Sequence, residues 1–468
     1  MPRKPEALEA HDGRESLEAT ADDSVLVSIR GLKTYYPIRG SFAQRLVGRE
    51  AGYVKAVDDV SLDLHKGEVL GLVGESGSGK TTLGRTLLGL VRATEGSIRF
   101  DGHEITRMSE RQLRPLRREM QIVFQDPHAS LNPAMTIEQS VGHALQIHGI
   151  GNSRERRLRV AETLETVGLA PPEQFMDKYP SDLSGGQKQR AVIARAIILN
   201  PVLLVADEPV SMLDMSVRAK ILELMLELKR ELDLTYLYIT HDLATAKFFC
   251  DRIAILYLGR IVEIGPSEAI YEDPKHPYTK ALLRAIPEPD PRRTVPRDLP
   301  RGEVPDAARP PLGCSFHPRC PMAFEVCGWE TRDLKDLLEA RWALQAAEEY
   351  EAERALIEDL TVLDTPSARV RLPSRKGAGG RIGDLLEAVK SADRDEPFWR
   401  GVRSIVVADD HVDVEWQEPL APRLLDVGDV KVECHLYDAD ALAEAERRRG
   451  ETAPEKPTGR PSPPVVSD

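Results

Sequence analysis

The feature that most constrains this chain is the run GESGSGKTT at residues 74–82. It follows the apolar run VLGLV and precedes LGRTLLGLV, an order that predicts a strand, a glycine-rich turn and a helix. Glycines let successive backbone N–H groups turn toward one anion, and the following helix presents unpaired N–H groups and the positive end of its dipole. The run therefore predicts a site for the phosphates of a nucleoside triphosphate rather than a flexible turn without a ligand.

The polar residues of this loop suit that ligand. Lys80 supplies a positive charge for the β- and γ-phosphates, and the hydroxyl of Thr81 can complete the shell of a Mg²⁺ ion. The candidate nucleotide-binding residues of the loop are Gly74, Glu75, Ser76, Gly77, Ser78, Gly79, Lys80, Thr81 and Thr82.

Length and composition limit the classes of protein that remain. A chain of 468 residues is too long for one ordinary core, and its net charge of -13 offers no general basic field for nucleic acid or an anionic membrane. Residues 1–24 lack an apolar stretch, so we expect a disordered segment there, neither a signal peptide nor an anchor. Five cysteines without an export signal indicate a reducing compartment, where grouped cysteines more often bind metal than form disulfides.

The region before the loop alternates apolar and polar residues from Val25 to Leu64, which predicts half-buried antiparallel strands. Tyr35, Tyr36 and Tyr53 lie in this region. Any of them could stack on a purine ring, although a tyrosine in a strand is more often a packing residue. After the loop, helical patterns dominate about residues 108–185, so a helical insertion should separate the loop from the next motif.

That next motif is LSGGQKQR at residues 183–190, followed by the helical pattern AVIARAII. Ser184, Gly185 and Gly186 stand where the helix should begin, and Gln187 follows them. They predict a second helix terminus that faces an anion. Two such termini can serve one triphosphate only if the triphosphate is sandwiched between them.

Two further apolar runs end in polar residues. VLLVADEP reads as a strand buried on both faces that ends in Asp207 and Glu208, and TYLYIT ends before His241. At such strand ends Asp207 could hold a Mg²⁺ shell through water, Glu208 could polarise the attacking water, and His241 could reach a γ-phosphate. Taken alone, an Asp-Glu pair is more often a helix cap or a surface ion pair, and a lone histidine is more often structural.

Taken together, these motifs resemble the ATP-binding subunit of an ATP-binding-cassette (ABC) transporter, over about residues 25–285. The resemblance implies that residues 74–82 form the phosphate loop and that SMLD at residues 211–214 forms a dimer-interface loop, with Met212 where alanine is usual. It further implies that Tyr36 stacks on adenine and that LSGGQ from Leu183 to Gln187 is the signature motif. Gln125 would sense Mg²⁺ and touch the permease, and Asp207 would be associated with Mg²⁺. Glu208 would be the catalytic residue and His241 the switch histidine.

The implied fold class is α/β, a P-loop nucleotide-binding domain with an antiparallel β subdomain and a helical subdomain, plus a C-terminal module that contains cysteines. Two such domains would close head to tail, with each ATP between one chain's phosphate loop and the other's signature. The predicted boundaries are 1–24 for the disordered segment, 25–270 for the ATP-binding domain, 271–312 for a linker, 313–440 for the cysteine module with an insertion at about 331–430, and 441–468 for a disordered tail.

Finer features resemble the oligopeptide and dipeptide import branch, namely VFQDPHASLNP, KHPYTKALL and GCSFHPRCPMAFEVC. The resemblance implies a peptide-import motor at the cytoplasmic face of the cell membrane. Its expected partners are a sister ATPase subunit, two permease subunits and an extracytoplasmic solute-binding protein, with no nucleic acid. Nickel or a sugar remain alternative solutes. A soluble cassette ATPase that acts on DNA or ribosomes is disfavoured, because this chain holds one cassette and has no room for a long coiled coil between its motifs.

Three cysteines, Cys314, Cys320 and Cys327, stand in a proline-rich stretch where their thiols could converge on a soft metal centre. In the resembling family a fourth cysteine follows in a V-x-C-H context, and Cys434 supplies it here after the insertion. The resemblance implies a [4Fe-4S] cluster, the spacing permits zinc equally well, and unligated thiols are the third possibility. Cys250 is expected to be a small buried hydrophobe in the ATPase domain.

Overall fold

The strand before the phosphate loop lies in the interior of an eight-stranded sheet. The computed structural model describes residues 24–38, 52–286 and 302–452. From one edge to the other, the strands are β14 (Leu424–Val427), β15 (Val430–Glu433), β10 (Arg260–Pro266), β9 (Arg252–Tyr257), β3 (Val69–Val73), β8 (Thr235–Thr240), β7 (Leu203–Asp207) and β6 (Met120–Val123). The strands from β9 to β6 are parallel, so their carboxyl ends share one edge. The remaining pairs are antiparallel.

A second, antiparallel sheet packs on this one. Its strands, in spatial order, are β2 (Tyr53–His65), β1 (Val25–Pro37), β4 (Glu95–Phe100) and β5 (His103–Glu104). The predicted antiparallel strands are therefore confirmed. Alternate side chains such as Ile29 and Phe100 are fully buried and meet Leu72 and Val205 of the large sheet in one hydrophobic core.

The first helix after the phosphate loop contributes Leu83 and Leu87 to the core between the two sheets, and most of the remaining helices pack on the other face of the large sheet. Together these helices include the predicted helical region. They are α1 (Lys80–Leu87), α2 (Glu110–Leu116), α3 (Pro127–Ser130), α4 (Ile137–Ile147), α5 (Ser153–Thr166), α6 (Glu173–Met176), α7 (Gly185–Ile197), α8 (Met215–Leu232), α9 (Leu243–Phe249), α10 (Ser267–Glu272) and α11 (Pro277–Arg284). Several of these helices begin at capping boxes, including Ser109 with Gln112 and Asn152 with Glu155. None of the helices in the described ranges is long and apolar enough to cross a bilayer.

The segment between Cys327 and Cys434 folds around a hydrophobic core of its own that contains Leu338, Leu386 and Trp416. Its elements are α12 (Thr331–Trp342), α13 (Ala347–Arg354), β11 (Arg369–Pro373), α14 (Gly379–Ala392), α15 (Phe398–Gly401), β12 (Val402–Val407) and β13 (His411–Trp416). The three strands form an antiparallel sheet in the order β11-β13-β12.

Two details of the predicted organisation differ from the structure. The predicted insertion runs to about residue 430, but from Leu424 onward the chain already forms β14 and β15 of the large sheet. The disordered tail predicted from residue 441 is wrong for its first part, because residues 439–452 form helix α16 (Ala439–Thr452), with Ala441 and Ala445 buried in the core of the insertion. The rest of that tail, the segment 1–23 and residues 287–301 of the predicted linker lie outside the described residues.

Candidate active site

The phosphate loop connects β3 to α1, and two of its glycines are required by their surroundings. A Cβ added to Gly74 would lie 2.2 Å from the carbonyl oxygen of Leu256. Gly79 has φ of +102°, and a Cβ added there would lie 2.0 Å from the carbonyl oxygen of Ala56. No other residue type fits these two positions without moving the backbone. Ser76 and Gly77 at the tip of the loop are exposed, whereas Ser78 is buried.

Lys80 lies inside the loop with only 5% of its surface exposed. Its Nζ donates to the carbonyl oxygens of Gly74 and Glu75, both at 2.8 Å, and lies 3.4 Å from Ser78 Oγ. Burial lowers the pKa of Lys80, against the opposing pull of nearby carboxylates. The loop thus concentrates a positive charge where it can reach a phosphate oxygen.

Thr81 and Asp207 meet beside this lysine. The Thr81 hydroxyl donates to Asp207 Oδ1 at 2.9 Å, and Asp207 is 2% exposed at the end of β7. Burial raises the pKa of Asp207, while the hydrogen bond from Thr81 lowers it. A hydroxyl and a carboxylate side by side are hard oxygen ligands of the kind that Mg²⁺ and its bound waters prefer.

Glu208 adopts a left-handed backbone conformation, with φ of 48°. Its N–H donates to the carbonyl oxygen of Ile239 at 2.9 Å, and its Oε2 accepts from Gln125 Nε2 at 3.0 Å. Oε2 also lies 3.1 Å from His241 Nδ1. Such a conformation is costly for a residue with a Cβ and is concentrated at functional sites. The structure therefore brings Gln125, Glu208 and His241 together at the carboxyl edge of the parallel strands.

The signature residues lie at the start of α7. Ser184 Oγ accepts from the N–H of Gln187 at 3.3 Å, and Gln187 Oε1 accepts from the N–H of Ser184 at 3.0 Å. Ser184 and Gly185 are exposed, and Gly186 and Gln187 are half-buried. In the part of the chain that the structure describes, no hydrogen bond or ion pair joins residues 184–187 to residues 74–82. The two predicted anion-facing helix termini are thus not brought together within one chain.

The aromatic candidates for the nucleotide base lie where β1 ends and β2 begins. Tyr36 is paired with Val54, and Tyr53 pairs with Pro37, so the two rings lie on neighbouring strands. Both side chains are partly exposed, 40% for Tyr36 and 46% for Tyr53. The hydroxyl of Tyr35 instead donates to Asp58. Tyr36 therefore remains the predicted stacking residue, with Tyr53 available beside it.

All four predicted cysteines line one cavity. Cys314, Cys320, Cys327 and Cys434 share its wall with aromatic and histidine side chains that include Phe316, Phe324 and His435. Cys434 reaches this place because β15, which ends one residue before it, pairs with β10 in the large sheet. Cys250 lies instead in the core beside β3, within contact distance of Gly71, as expected of a buried hydrophobe.

The four thiols have a shared environment. Burial raises their pKa values, to about 12 for Cys320 and about 11 for Cys434, with Cys314 and Cys327 also raised. Backbone N–H groups oppose this effect at each sulfur, since N–H groups that point at a sulfur favour its thiolate form. The donors are Phe316 for Cys314, Met322 and Ala323 for Cys320, Phe324 for Cys327 at 3.4 Å, and Leu436 for Cys434.

His435 is a polar group that the rest of the described protein leaves unpaired. It is 2% exposed, it lines the thiol cavity, and neither of its ring nitrogens has a hydrogen-bond partner among the described residues. A buried unpaired polar group is costly unless something else in the cavity accepts or donates a hydrogen bond. Within the described ranges, no group of three or more His, Cys, Asp or Glu side chains is placed to hold a single metal ion.

Sequence reasoning missed two residues that touch the phosphate loop. Tyr278 and Arg319, both from the C-terminal half of the chain, contact Glu75. Tyr278 lies in KHPYTKALL and Arg319 lies in GCSFHPRCPMAFEVC, but neither stretch of sequence indicates a contact with the loop.

Comparisons with known proteins agree with this geometry. A family described as "ABC transporter" matches residues 57–211, and one described as "Oligopeptide/dipeptide transporter, C-terminal region" matches residues 262–327. The chain is 47% identical over 315 residues to a Brucella ovis protein that is named as a peptide import ATP-binding protein. This alignment covers 67% of this chain and 95% of the relative. It is 46% identical over 319 residues to the oligopeptide transport ATP-binding protein AppF of Bacillus subtilis, covering 68% of this chain and 95% of that one.

Proposed function

Because this chain belongs to the ATP-binding subunits of oligopeptide- and dipeptide-type ABC transporters, we propose that it is the motor of a peptide importer and that the residues above bind and hydrolyse ATP. The observation that carries the proposal is the convergence of Lys80, Thr81, Asp207, Glu208 and His241 at one edge of the sheet. This edge is where open α/β sheets bind their ligands.

Binding and hydrolysis use different groups of this site. The loop N–H groups and Lys80 hold the phosphates of ATP, and Thr81, Asp207 and Gln125 would hold Mg²⁺ or its waters. When bound, the ion would supply positive charge that stabilises the phosphate being transferred. Glu208 then takes up a proton from the attacking water, while Gln125 and His241 fix its carboxylate, each through Oε2.

A second ATPase subunit completes the site. The exposed Ser184 and Gly185 form a helix terminus that can contact a nucleotide bound to another chain. The nucleotide bound to this chain's phosphate loop would likewise be contacted by the signature of the partner chain. Met212 in the predicted dimer-interface loop is 59% exposed, and Met215 directly after the loop is 84% exposed. Large apolar side chains this exposed suit a protein contact. The proposed assembly is a heterodimer with a sister ATPase, bound to two permeases at the cytoplasmic face of the membrane.

A pull-down tests this assembly and its solute. A tagged copy of the chain should retain the sister ATPase, two permease subunits and a solute-binding protein from detergent-solubilised membranes. Titration of the recovered binding protein should show binding of short peptides but not of nickel or sugars. A binding protein that takes only nickel or a sugar would contradict peptide import while leaving the ATP motor intact.

We also propose that the thiol cavity holds a [4Fe-4S] cluster. Four thiols in one cavity, N–H groups directed at their sulfurs, and the unpaired His435 support this donor set. Four thiolates are also a common ligand set for zinc, so zinc in the same cavity is the alternative.

Anaerobic purification tests the cluster. The chain should be brown and contain about four iron and four sulfide ions per molecule. Replacing Cys320 by serine should remove most of the iron, because a ligand is lost. The matched control Cys250→Ser should keep it, since Cys250 lies in the core by β3. A colourless preparation without iron would reject the cluster, and stoichiometric zinc would identify the alternative.

A further inference from the structure

Glu75, the second residue of the phosphate loop, is held from the C-terminal half of the chain. Its N–H donates to the hydroxyl of Tyr278 at 3.1 Å, and both its carboxylate oxygens lie 3.3 Å from Nη1 of Arg319. Its carbonyl oxygen accepts from Lys80 at 2.8 Å. Every polar group of Glu75 is therefore engaged, two of them by residues from the C-terminal half of the chain and one by the phosphate-binding lysine.

The two residues that hold Glu75 are themselves fixed. Tyr278 is fully buried, and its ring lies 4.7 Å from that of Tyr257 and 5.3 Å from that of Phe316. The Arg319 guanidinium lies over the rings of Tyr257 and Phe316, 5.9 and 6.0 Å from their centroids, and its side chain is only 10% exposed. Exposed ion pairs contribute little because solvent screens them and the side chains are free to move. Stacking limits the motion of Arg319, and because the Glu75 side chain is 29% exposed, solvent screens this pair only in part.

The turn that carries Arg319 also carries two of the four thiols. The N–H of His317 donates to the carbonyl oxygen of Cys314 at 3.1 Å, and the N–H of Cys320 donates to that of His317 at 3.1 Å. Phe316, which lies against Arg319, also lines the thiol cavity. Because the turn is this short and internally bonded, a shift of Cys314 or Cys320 must move Arg319 relative to Glu75.

We propose that Arg319 is a positioning residue for the phosphate loop, and that the turn from Cys314 to Cys320 couples the thiol cavity to nucleotide binding. The inference rests on the proposed nucleotide site but not on the identity of the cavity's occupant. Coupling between two sites is reciprocal, so a turn that strengthens nucleotide binding must itself be held more firmly when nucleotide is bound. The state of the thiols would in this way set the affinity of the motor for ATP.

Equilibrium titration of the full chain with MgATP tests the positioning role. Arg319→Gln should raise the Kd for MgATP about 5- to 20-fold, a range typical of coupled sites. Arg319→Lys, which keeps the charge but not the planar guanidinium that lies over the two rings, should give a smaller rise. The matched control Arg371→Gln breaks an Arg–Asp pair on the sheet of the insertion and should leave Kd unchanged. Glu75→Gln should raise the Kd for MgATP to a similar degree. The double variant, Arg319→Gln with Glu75→Gln, should have a Kd no higher than that of either single variant.

An unchanged Kd in both Arg319→Gln and Glu75→Gln would overturn the positioning role. Lys80→Ala separates this outcome from failure of the nucleotide site, because it should abolish binding whether or not Arg319 matters. If Arg319→Gln does not fold, Arg319→Lys and Glu75→Gln decide together, because a rise in Kd for Glu75→Gln alone would also follow from a direct contact of Glu75 with nucleotide.

Alkylation of the thiols tests the coupling. In the chain as purified, iodoacetamide labelling of Cys314 and Cys320, followed by mass spectrometry, or the loss of iron to a chelator where the thiols hold a cluster, should slow about 5-fold or more when MgATP is added. Arg319→Gln should remove this dependence on nucleotide. Labelling rates that MgATP leaves unchanged in the wild-type chain would refute the coupling.

Discussion

Replacing Glu208 by glutamine should reduce steady-state ATP hydrolysis by about 10²- to 10⁴-fold, the range that a positioned general base contributes, while ATP still binds. Glutamine has nearly the same shape as glutamate, but it carries no negative charge and cannot take a proton from the attacking water. The residues that hold phosphate, among them Lys80, are not altered. Phosphate release by the assembled transporter and a nucleotide titration measure the two effects separately.

A second consequence concerns the state in which this variant stops. Since ATP binds but is not cleaved, the two ATPase subunits should remain closed around it, which size-exclusion chromatography detects as an ATP-dependent dimer. Glu223→Gln, on the exposed face of α8, makes the same chemical change away from the site and should leave hydrolysis normal. Normal turnover by Glu208→Gln would remove Glu208 from the role of base.

Replacing Lys80 by alanine should weaken the binding of MgATP by at least ~100-fold, equal to about 2.8 kcal/mol. The ammonium lies inside the loop, within 2.8 Å of two of its carbonyl oxygens, so it can meet the phosphates in a poorly solvated place where charge-assisted hydrogen bonds are strong. Isothermal titration with MgATP measures the loss.

Lys66→Ala is the matched control for this experiment. Lys66 is an exposed lysine that pairs with Asp101 on the surface, and its removal should leave the affinity unchanged. If Lys80→Ala bound MgATP as tightly as the wild-type chain, the phosphates would have to be held elsewhere, and the site described here would be wrong.

The convergence of the candidate site could be predicted because each residue follows a strand of a parallel sheet. Gln125, Asp207 and His241 come just after β6, at the end of β7 and just after β8, and the carboxyl ends of parallel strands share an edge. Local patterns thus place these groups together without any knowledge of long-range contacts. The capping boxes at the starts of several helices are likewise formed by residues close together in the sequence.

The features that sequence reasoning missed depend on contacts between distant residues. The Ala-, Glu- and Arg-rich sequence of helix α16 is compatible with a helix, but contacts with distant residues hold the helix in place. Arg449 pairs with Glu325 at 2.6 Å, and two alanines are buried in the core of the insertion. The contact between Glu75 and Arg319 joins residues 244 positions apart. A single arginine has no periodicity or spacing that could reveal such a partner.

The central claim, that ATP hydrolysis by this chain drives peptide import, is tested most directly by uptake of a labelled oligopeptide into proteoliposomes that contain the whole transporter and its binding protein. With ATP supplied on the side of this subunit, the wild-type complex should accumulate peptide, and the complex with Glu208→Gln should not. Equal uptake by the two complexes, or ATP hydrolysis that no peptide stimulates while another solute does, would contradict the account.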